Sequence, residues 1–339
     1  MYRYASSEIY DVTLTVKTPV FIGSGSNIGK KEFYVERDII HVLDMNAVMN
    51  AVFRDGLVQD FQKLMIADVY KSTYDFLKSF FSADEIKRMT RYSCRCADVF
   101  NDGKPPAKIH QFCHTPDDRP YIPGSSIKGA IRTCLIGAEL LDEHEQAFLH
   151  EEINKRIDTL EKKYTDIMRY ISVSDSEPLS PTDLTLCKKY DVRTSGFAKP
   201  VILVRECIAP GKKLKCKITI DKTNNDMSLE KIHYAIQRFS EHYYTVLTKN
   251  HYAFPKPCGR FTYNNHLILG GGCGYLSKTN VYEAAEYDDA LAYVAAFMKK
   301  KFRGQHDNDQ ENGVSPHMLK YTKYGGQYYP FGICSLEFR

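Results

Sequence analysis

The sequence predicts an α+β protein whose two halves repeat a similar order of strands and helices, and three observations carry this. Ile9 to Val16 alternates Val12, Leu14 and Val16 with Thr13 and Thr15, as a strand with one buried face requires. Ile127 to Leu141 and Ile232 to Leu247 place apolar residues at helical spacing. The order strand, turn, strand, helix then restarts at Val201, beyond a serine-, proline- and acid-containing run from Ser172 to Asp183 that reads as a domain boundary.

The remaining elements follow in order. Phe33 to Val35 and Ile39 to Leu43 read as short strands around a turn at Arg37-Asp38, and a helix starting near Asp44 carries Val48, Val52 and Phe53. Leu57 to Arg91 reads as helical, with Phe61, Leu64, Met65, Val69, Tyr70, Phe76, Leu77 and Phe80 among charges. It is expected as an inserted subregion covering about residues 57–115, with a loop at Asn101 to Pro106. Asp142 to Tyr170 predicts one or two charged amphipathic helices with Phe148, Ile153, Ile157, Leu160, Tyr164 and Ile167 inward. Val201 to Cys207 and Leu214 to Ile220 are expected as a hairpin about Ala209-Pro210-Gly211. Ala284 to Phe302 predicts a helix, Gly304 to Ser315 a mobile polar loop, and Phe331 to Phe338 a closing strand.

Composition bounds the function. With 339 residues, 43% hydrophobic and 26% charged, the chain can bury one large or two modest cores. No apolar run approaches the ~20 residues of a membrane span, and the start lacks a secretory core, so a soluble cytoplasmic protein is expected. A net charge of +4 is too small to argue for nucleic acid, so that case rests on local clusters.

Tyr121 to Thr133, YIPGSSIKGAIRT, is the stretch richest in chemistry. Pro123-Gly124 turns the chain, Ser125 or Ser126 is expected to cap the helix, and Lys128 and Arg132 lie four apart on one flank. Free amides, a positive dipole end, hydroxyls and two cations at one spot would hold a phosphate, while Gly129 and Gly137 leave room for backbone approach. Two glycine segments add to this. Thr18 to Gly25 ends in Gly23-Ser24-Gly25, with Lys30 and Lys31 close behind, and His266 to Asn280 carries Gly271, Gly272 and Gly274 before Lys278. Lys213, Lys215 and Lys217 give the strand near residue 215 one basic face, which suits a nucleic-acid backbone.

Enzyme signatures are incomplete. Ser125 to Lys128 matches S-x-x-K without the S-D-N and K-T-G elements, and no Walker-type Gly-Lys-Ser/Thr occurs. The late glycine string lacks the βαβ unit and the acidic residue of a dinucleotide fold. Ten cysteines without a C-x-x-C pair are expected as reduced thiols. Cys94, Cys96, His110, Cys113 and His114 could supply zinc ligands, although their spacing fits no standard finger.

Strand, glycine turn, paired strands, IPGSS-x-KG-x-x-R, a second strand-helix unit and a late glycine loop together resemble the RAMP superfamily of CRISPR proteins. The resemblance implies two ferredoxin-like (RRM-like, βαββαβ-type) domains, here 1–175 and 176–339. The Thr18 to Gly25 turn, Ser172 to Asp175, and Met318 to Thr322 with Tyr329 to Ile333 look most like the type III-A Csm subunit near the 3′ end of the guide. That likeness implies binding to crRNA, contacts with backbone RAMP subunits and the small subunit, and a part in crRNA maturation with host nucleases. It carries RNA contacts onto Gly23, Ser24, Gly25, Lys30, Lys31, Gly124, Ser125, Ser126, Lys128, Arg132, Gly271, Gly272, Gly274 and Lys278, with no cofactor, metal or membrane. The target-cutting backbone subunits carry an aspartate after the first glycine turn. Ser24 to Phe33 holds only Glu32, after two lysines, so binding without cleavage is expected. The alternative is a metal-independent endoribonuclease acting on crRNA precursor, with His41 as general acid or base.

Overall fold

A computed structural model describes residues 7–66, 72–96, 98–100, 106, 108–143, 150–223, 227–249 and 265–338. The first strands are β1 (Ser7–Val16), β2 (Gly23–Gly29), β3 (Phe33–Glu36) and β4 (Ile39–Leu43). Helices α1 (Met45–Arg54), α2 (Val58–Ile66), α3 (Thr73–Phe80) and α4 (Ala83–Arg88) follow, then β5 (Thr90–Arg95) and β6 (Lys108–Phe112). Next come α5 (Gly124–Asp142), α6 (His150–Ile167), β7 (Ile171–Val173), β8 (Leu184–Arg193), β9 (Ala198–Ile208), β10 (Lys213–Asp221) and α7 (Leu229–Lys249). The chain closes with β11 (His266–Ile268), α8 (Val281–Ala284), α9 (Tyr287–Lys301), β12 (Met318–Tyr324), β13 (Gln327–Pro330) and β14 (Ile333–Phe338).

The expected α+β class is what the strands and helices form. One antiparallel sheet runs β11-β14-β1-β10-β7, and a second runs β2-β6-β9-β8-β5-β4-β3 with the β12-β13 hairpin on β8. In β1 the predicted alternation holds: Val12, Leu14 and Val16 are buried and join the main core beside Leu214, Cys216 and Leu336 of the neighbouring strands. Below this sheet α5 and α7 pack together through Ile127, Ile131 and Leu135 on one side and Ile232, Ile236, Phe239 and Tyr243 on the other. Both sheets draw strands from either side of residue 175, so hydrogen bonding crosses the place where composition put a boundary. The Ser172 to Asp183 run is itself packed. β7 pairs with β10, and buried Ser176 accepts the Ile122 amide at 2.9 Å.

Several expectations are corrected. Val201 to Ile220 is not a hairpin: β9 pairs with β8 and β6, whereas β10 pairs with β1 and β7. The turn at Gly211, whose amide donates to the Val16 carbonyl at 2.8 Å, carries the chain from one sheet to the other. A local turn signal cannot distinguish these outcomes, because tertiary pairing decides where the second strand goes. The helical subregion is real but ends at Arg88, and β5 and β6, inside the range expected as an insertion, are strands of the second sheet. The helices enclose their own small core of Val48, Val52, Phe61, Leu64, Phe76 and Leu77. Of the apolar residues carried by α1, Val48 and Val52 are buried and Phe53 is 63% exposed. The Gly304 to Ser315 segment is tied down, with His306, Asp309, Val314 and Ser315 buried. Val69, Tyr70, Phe148 and residues 101–105 of the expected loop lie outside the described residues.

Candidate nucleic-acid interface

Helix α5 starts as the sequence indicates, at Pro123-Gly124, but its cap is different. Neither serine caps it. The Gly124 amide donates to Asp175 Oδ1 at 2.8 Å, from the segment after β7. Gly124 is buried, and a Cβ there would stand 2.1 Å from the Val173 carbonyl oxygen. This is the close backbone approach expected of Gly129 and Gly137. Gly129 instead meets nothing within 4 Å, and Gly137 makes room for the Phe239 ring. Asp175 also sets the electrostatics. A carboxylate already sits at the positive end of the helix dipole, so further anion binding there must draw on hydroxyls and cations. Among the described residues the Ser125 amide and the Ser125 and Ser126 hydroxyls take no protein partner.

These groups open into a cleft of about 390 Å³ between three segments distant in sequence. Ile22 and Gly23 form one wall at the start of β2. Ser125, Ser126, Gly129, Ala130 and Thr133 on α5 form the second. Gly270, Gly271, Ser277 and Lys278 of the glycine loop form the third. The loop is locked to the first wall by the Gly271 amide, which donates to the Phe21 carbonyl at 2.7 Å. Exposed Lys278 is the cation lining the cleft. A groove of small residues, free hydroxyls and one lysine can admit a sugar-phosphate strand closely and neutralise it locally.

Of the sequence-predicted contacts, Gly23, Ser125, Ser126, Gly271 and Lys278 converge here. Ser24 and Gly25 adjoin them on an exposed, bulged stretch of edge strand β2. Lys128 and Arg132 do not share the spot with the serines. They lie off the cleft-lining face of α5, and the Arg132 guanidinium donates to the Glu161 carbonyl at 2.9 Å and Thr165 Oγ1 at 3.3 Å, tying α5 to α6. Lys30 and Lys31 stand in the turn at the other end of β2, beside the start of α3. Gly124 is buried. Gly272 is backed by the Arg205 guanidinium, whose Nη1 would stand 2.1 Å from a Cβ, and Gly274 faces Lys320.

Arg205 is a residue the sequence reading did not single out. Its guanidinium lies over the rings of Phe21 (4.9 Å) and Phe331 (5.5 Å), directly behind the glycine loop. Its Nη1 is buried without a hydrogen-bond partner, and burial lowers the pKa. Next to it Glu206 is fully buried, accepting from the Tyr92 hydroxyl at 2.7 Å and the Phe112 amide at 2.9 Å. The lysine row of β10 is exposed as expected, with Lys217 paired to Asp11 at 3.1 Å.

Glu32, the single acid between Ser24 and Phe33, and His41 both lie off the cleft. Glu32 accepts the Gly29 amide at 2.5 Å. His41 lies outside the cleft: Nδ1 meets Ser93 Oγ at 2.8 Å, the ring stacks on Tyr34 at 4.6 Å, and burial lowers its pKa. Cys94, Cys96, His110, Cys113 and His114 do not gather into a metal-binding group. Cys94 and Cys96 are buried, and burial pushes the Cys96 thiol up to about 12. No helix among the described residues is long and apolar enough to cross a membrane.

Residues 13–332 match the RAMP superfamily. The chain belongs to that superfamily. Among RAMP relatives it is 27% identical, over 375 aligned positions and 97% of both chains, to "CRISPR system Cms protein Csm5" of Mycobacterium tuberculosis. The protein of the same name from Enterococcus italicus is 28% identical, with 98% of each covered. Solved structures agree on the RAMP fold. A chain of a "Csm-crRNA-target RNA ternary complex in type III-A CRISPR-Cas system" aligns with a TM-score of 0.66 at 19% identity, covering 97% of this chain and 100% of that one. The crystal structure of T. onnurineus Csm5 aligns at 0.60 with 18% identity, covering 95% and 99%.

Proposed function

We propose that this RAMP protein is a crRNA-binding subunit of a type III-A Csm ribonucleoprotein, capping the backbone filament near the crRNA 3′ end without cutting RNA itself. The near full-length likeness to Csm5 proteins supports the assembly, and one observation carries the site. Three glycine- and serine-containing segments, each suspected separately, close on one cleft with unpaired serine hydroxyls and Lys278. Backbone RAMP subunits, the small subunit and crRNA are the partners, and maturation of the guide proceeds through nucleases that the assembly recruits. The reading without cleavage is supported by the stretch from Ser24 to Phe33, which holds no aspartate, and by His41 lying outside the cleft.

The test measures anisotropy of a labelled guide on the purified chain and on the reconstituted complex. Ser126→Phe, which fills the cleft, is expected to weaken binding by about tenfold, equivalent to ~1.4 kcal/mol. Unchanged binding by a folded Ser126→Phe protein removes the cleft from the interface. Incubation of the chain with repeat RNA tests the other half: specific cuts that disappear in His41→Ala would replace this reading by the endoribonuclease.

A further inference from the structure

The segment joining α9 to β12 is mostly exposed, and its composition does not explain why a few of its polar side chains are buried. From Gly304 to Ser315 it reads GQHDNDQENGVS, with Val314 its single apolar side chain. Such a run ordinarily remains solvated, because it has too little apolar surface to offset the entropy of ordering. Here His306, Asp309 and Ser315 are nonetheless buried. Asp309 Oδ2 meets His306 Nδ1 at 2.8 Å and Ser315 Oγ at 2.8 Å, while Asp309 Oδ1 meets His317 Nδ1 at 2.6 Å. The imidazole centroids are 4.4 Å apart. One donor atom from each of His306, Asp309 and His317 falls within 4.8 Å of the others, and His317 and Asp309 border a cavity of about 800 Å³.

We propose that His306, Asp309 and His317 bind one divalent transition-metal ion of the zinc class, which staples the 304–317 segment between α9 and β12. Two imidazoles and one carboxylate form a three-ligand set suited to such an ion, with water from the cavity completing the shell. Bonds of ~2.0–2.1 Å in a tetrahedral shell separate donors by about 3.3 Å, and donor atoms already within 4.8 Å of one another reach that spacing by small side-chain shifts. Each imidazole gives a nitrogen lone pair to the metal and keeps its proton on the other ring nitrogen. The ion takes the place of an apolar anchor, and the ordering of a polar loop is its consequence. This site is separate from the RNA cleft, so it stands or falls independently of the RNA-binding reading.

The experiment measures Zn, Fe, Co, Ni and Mn by mass spectrometry on the purified full chain, and titrates chelator-treated protein with Zn²⁺ alone. About one zinc-class ion per chain is expected, with Asp309→Asn and His317→Gln each lowering affinity for Zn²⁺ by about a hundredfold or more. Chelation is expected to expose the 304–317 segment to limited proteolysis, reversibly on adding Zn²⁺. If a variant fails to fold, the wild-type chelation and proteolysis cycle remains decisive. A wild-type chain that neither carries nor takes up Zn²⁺ overturns the proposal and leaves a hydrogen-bonded cluster only. Zinc retained at full stoichiometry in folded Asp309→Asn and His317→Gln also overturns it, because the ion then sits elsewhere among the cysteines and histidines.

Discussion

The two glycine-rich segments flanking the cleft look alike in sequence and do opposite things. At Gly25 the backbone has φ +89° and a Cβ would meet nothing within 4 Å, so the glycine leaves an exposed bulge on an edge strand. At Gly270, with φ +81°, a Cβ would stand 2.1 Å from the Phe21 carbonyl oxygen. The first segment gives access. The second is a packing element that holds the wall of the cleft against β2 and backs onto Arg205. Gly124 belongs with the second kind, although it sits in the motif that first suggested RNA. Small residues around the cleft thus divide into those that leave backbone open and those that let the protein close on itself.

This contrast predicts its own largest effect. Gly124→Ala and Gly270→Ala force a methyl into a backbone carbonyl and are expected to cost about 3 kcal/mol or to prevent folding, measured by chemical denaturation. Gly25→Ala is expected to cost only about 1 kcal/mol, for the strained φ alone. Equal costs at Gly25 and Gly270 would erase the distinction.

The cations divide in the same way. Lys278→Ala is expected to weaken guide binding about fivefold and to reduce the salt slope by roughly 0.7, the loss of one single-strand phosphate contact, with stability unchanged. Arg132→Ala, which removes the tie between α5 and α6, is expected to cost about 0.5–1 kcal/mol of stability and to leave guide affinity intact. The reverse pattern, affinity lost at Arg132 and kept at Lys278, would move the RNA onto the opposite flank of α5.

Much of the fold was legible because its signals are local. The alternation in β1, the turn at Arg37 with its φ of 55°, the Asp44 cap of α1 and the buried stripe of α7 are each fixed by neighbouring residues. What escaped was set by distant partners. Strand β8 begins with four consecutive buried residues, and β5 carries a single short alternation, so neither offers a period that a sequence can reveal. The Asp175 cap lies 51 residues from Gly124, and Arg205 reaches Phe21 and Phe331 only through the sheet. Gly23, Ser125, Ser126 and Gly271 could be named as candidates because glycine and serine report backbone access wherever they occur, and the fold brings them with Lys278 onto one cleft. Lys128 and Arg132 lie off that cleft, which helical spacing could not reveal because it gives their relation to each other and not to distant segments.

The smallest predicted effect is the sharpest test of the division. Gly129 lies inside α5 and on the cleft wall, with nothing within 4 Å of its Cβ position. In a helix interior alanine is preferred to glycine by about 0.8–1 kcal/mol, and no neighbour here opposes the added methyl. Gly129→Ala is therefore expected to stabilise the folded chain by up to that amount in denaturation. The same methyl projects into the space between Ser125, Ser126 and Lys278, where a sugar-phosphate strand would lie against the helix. Guide affinity is expected to fall by about threefold while stability rises, a combination that damage to the fold cannot produce. If stability rises and affinity does not move, the strand passes over the serines without touching the floor of the cleft, and the access role belongs to the β2 bulge alone.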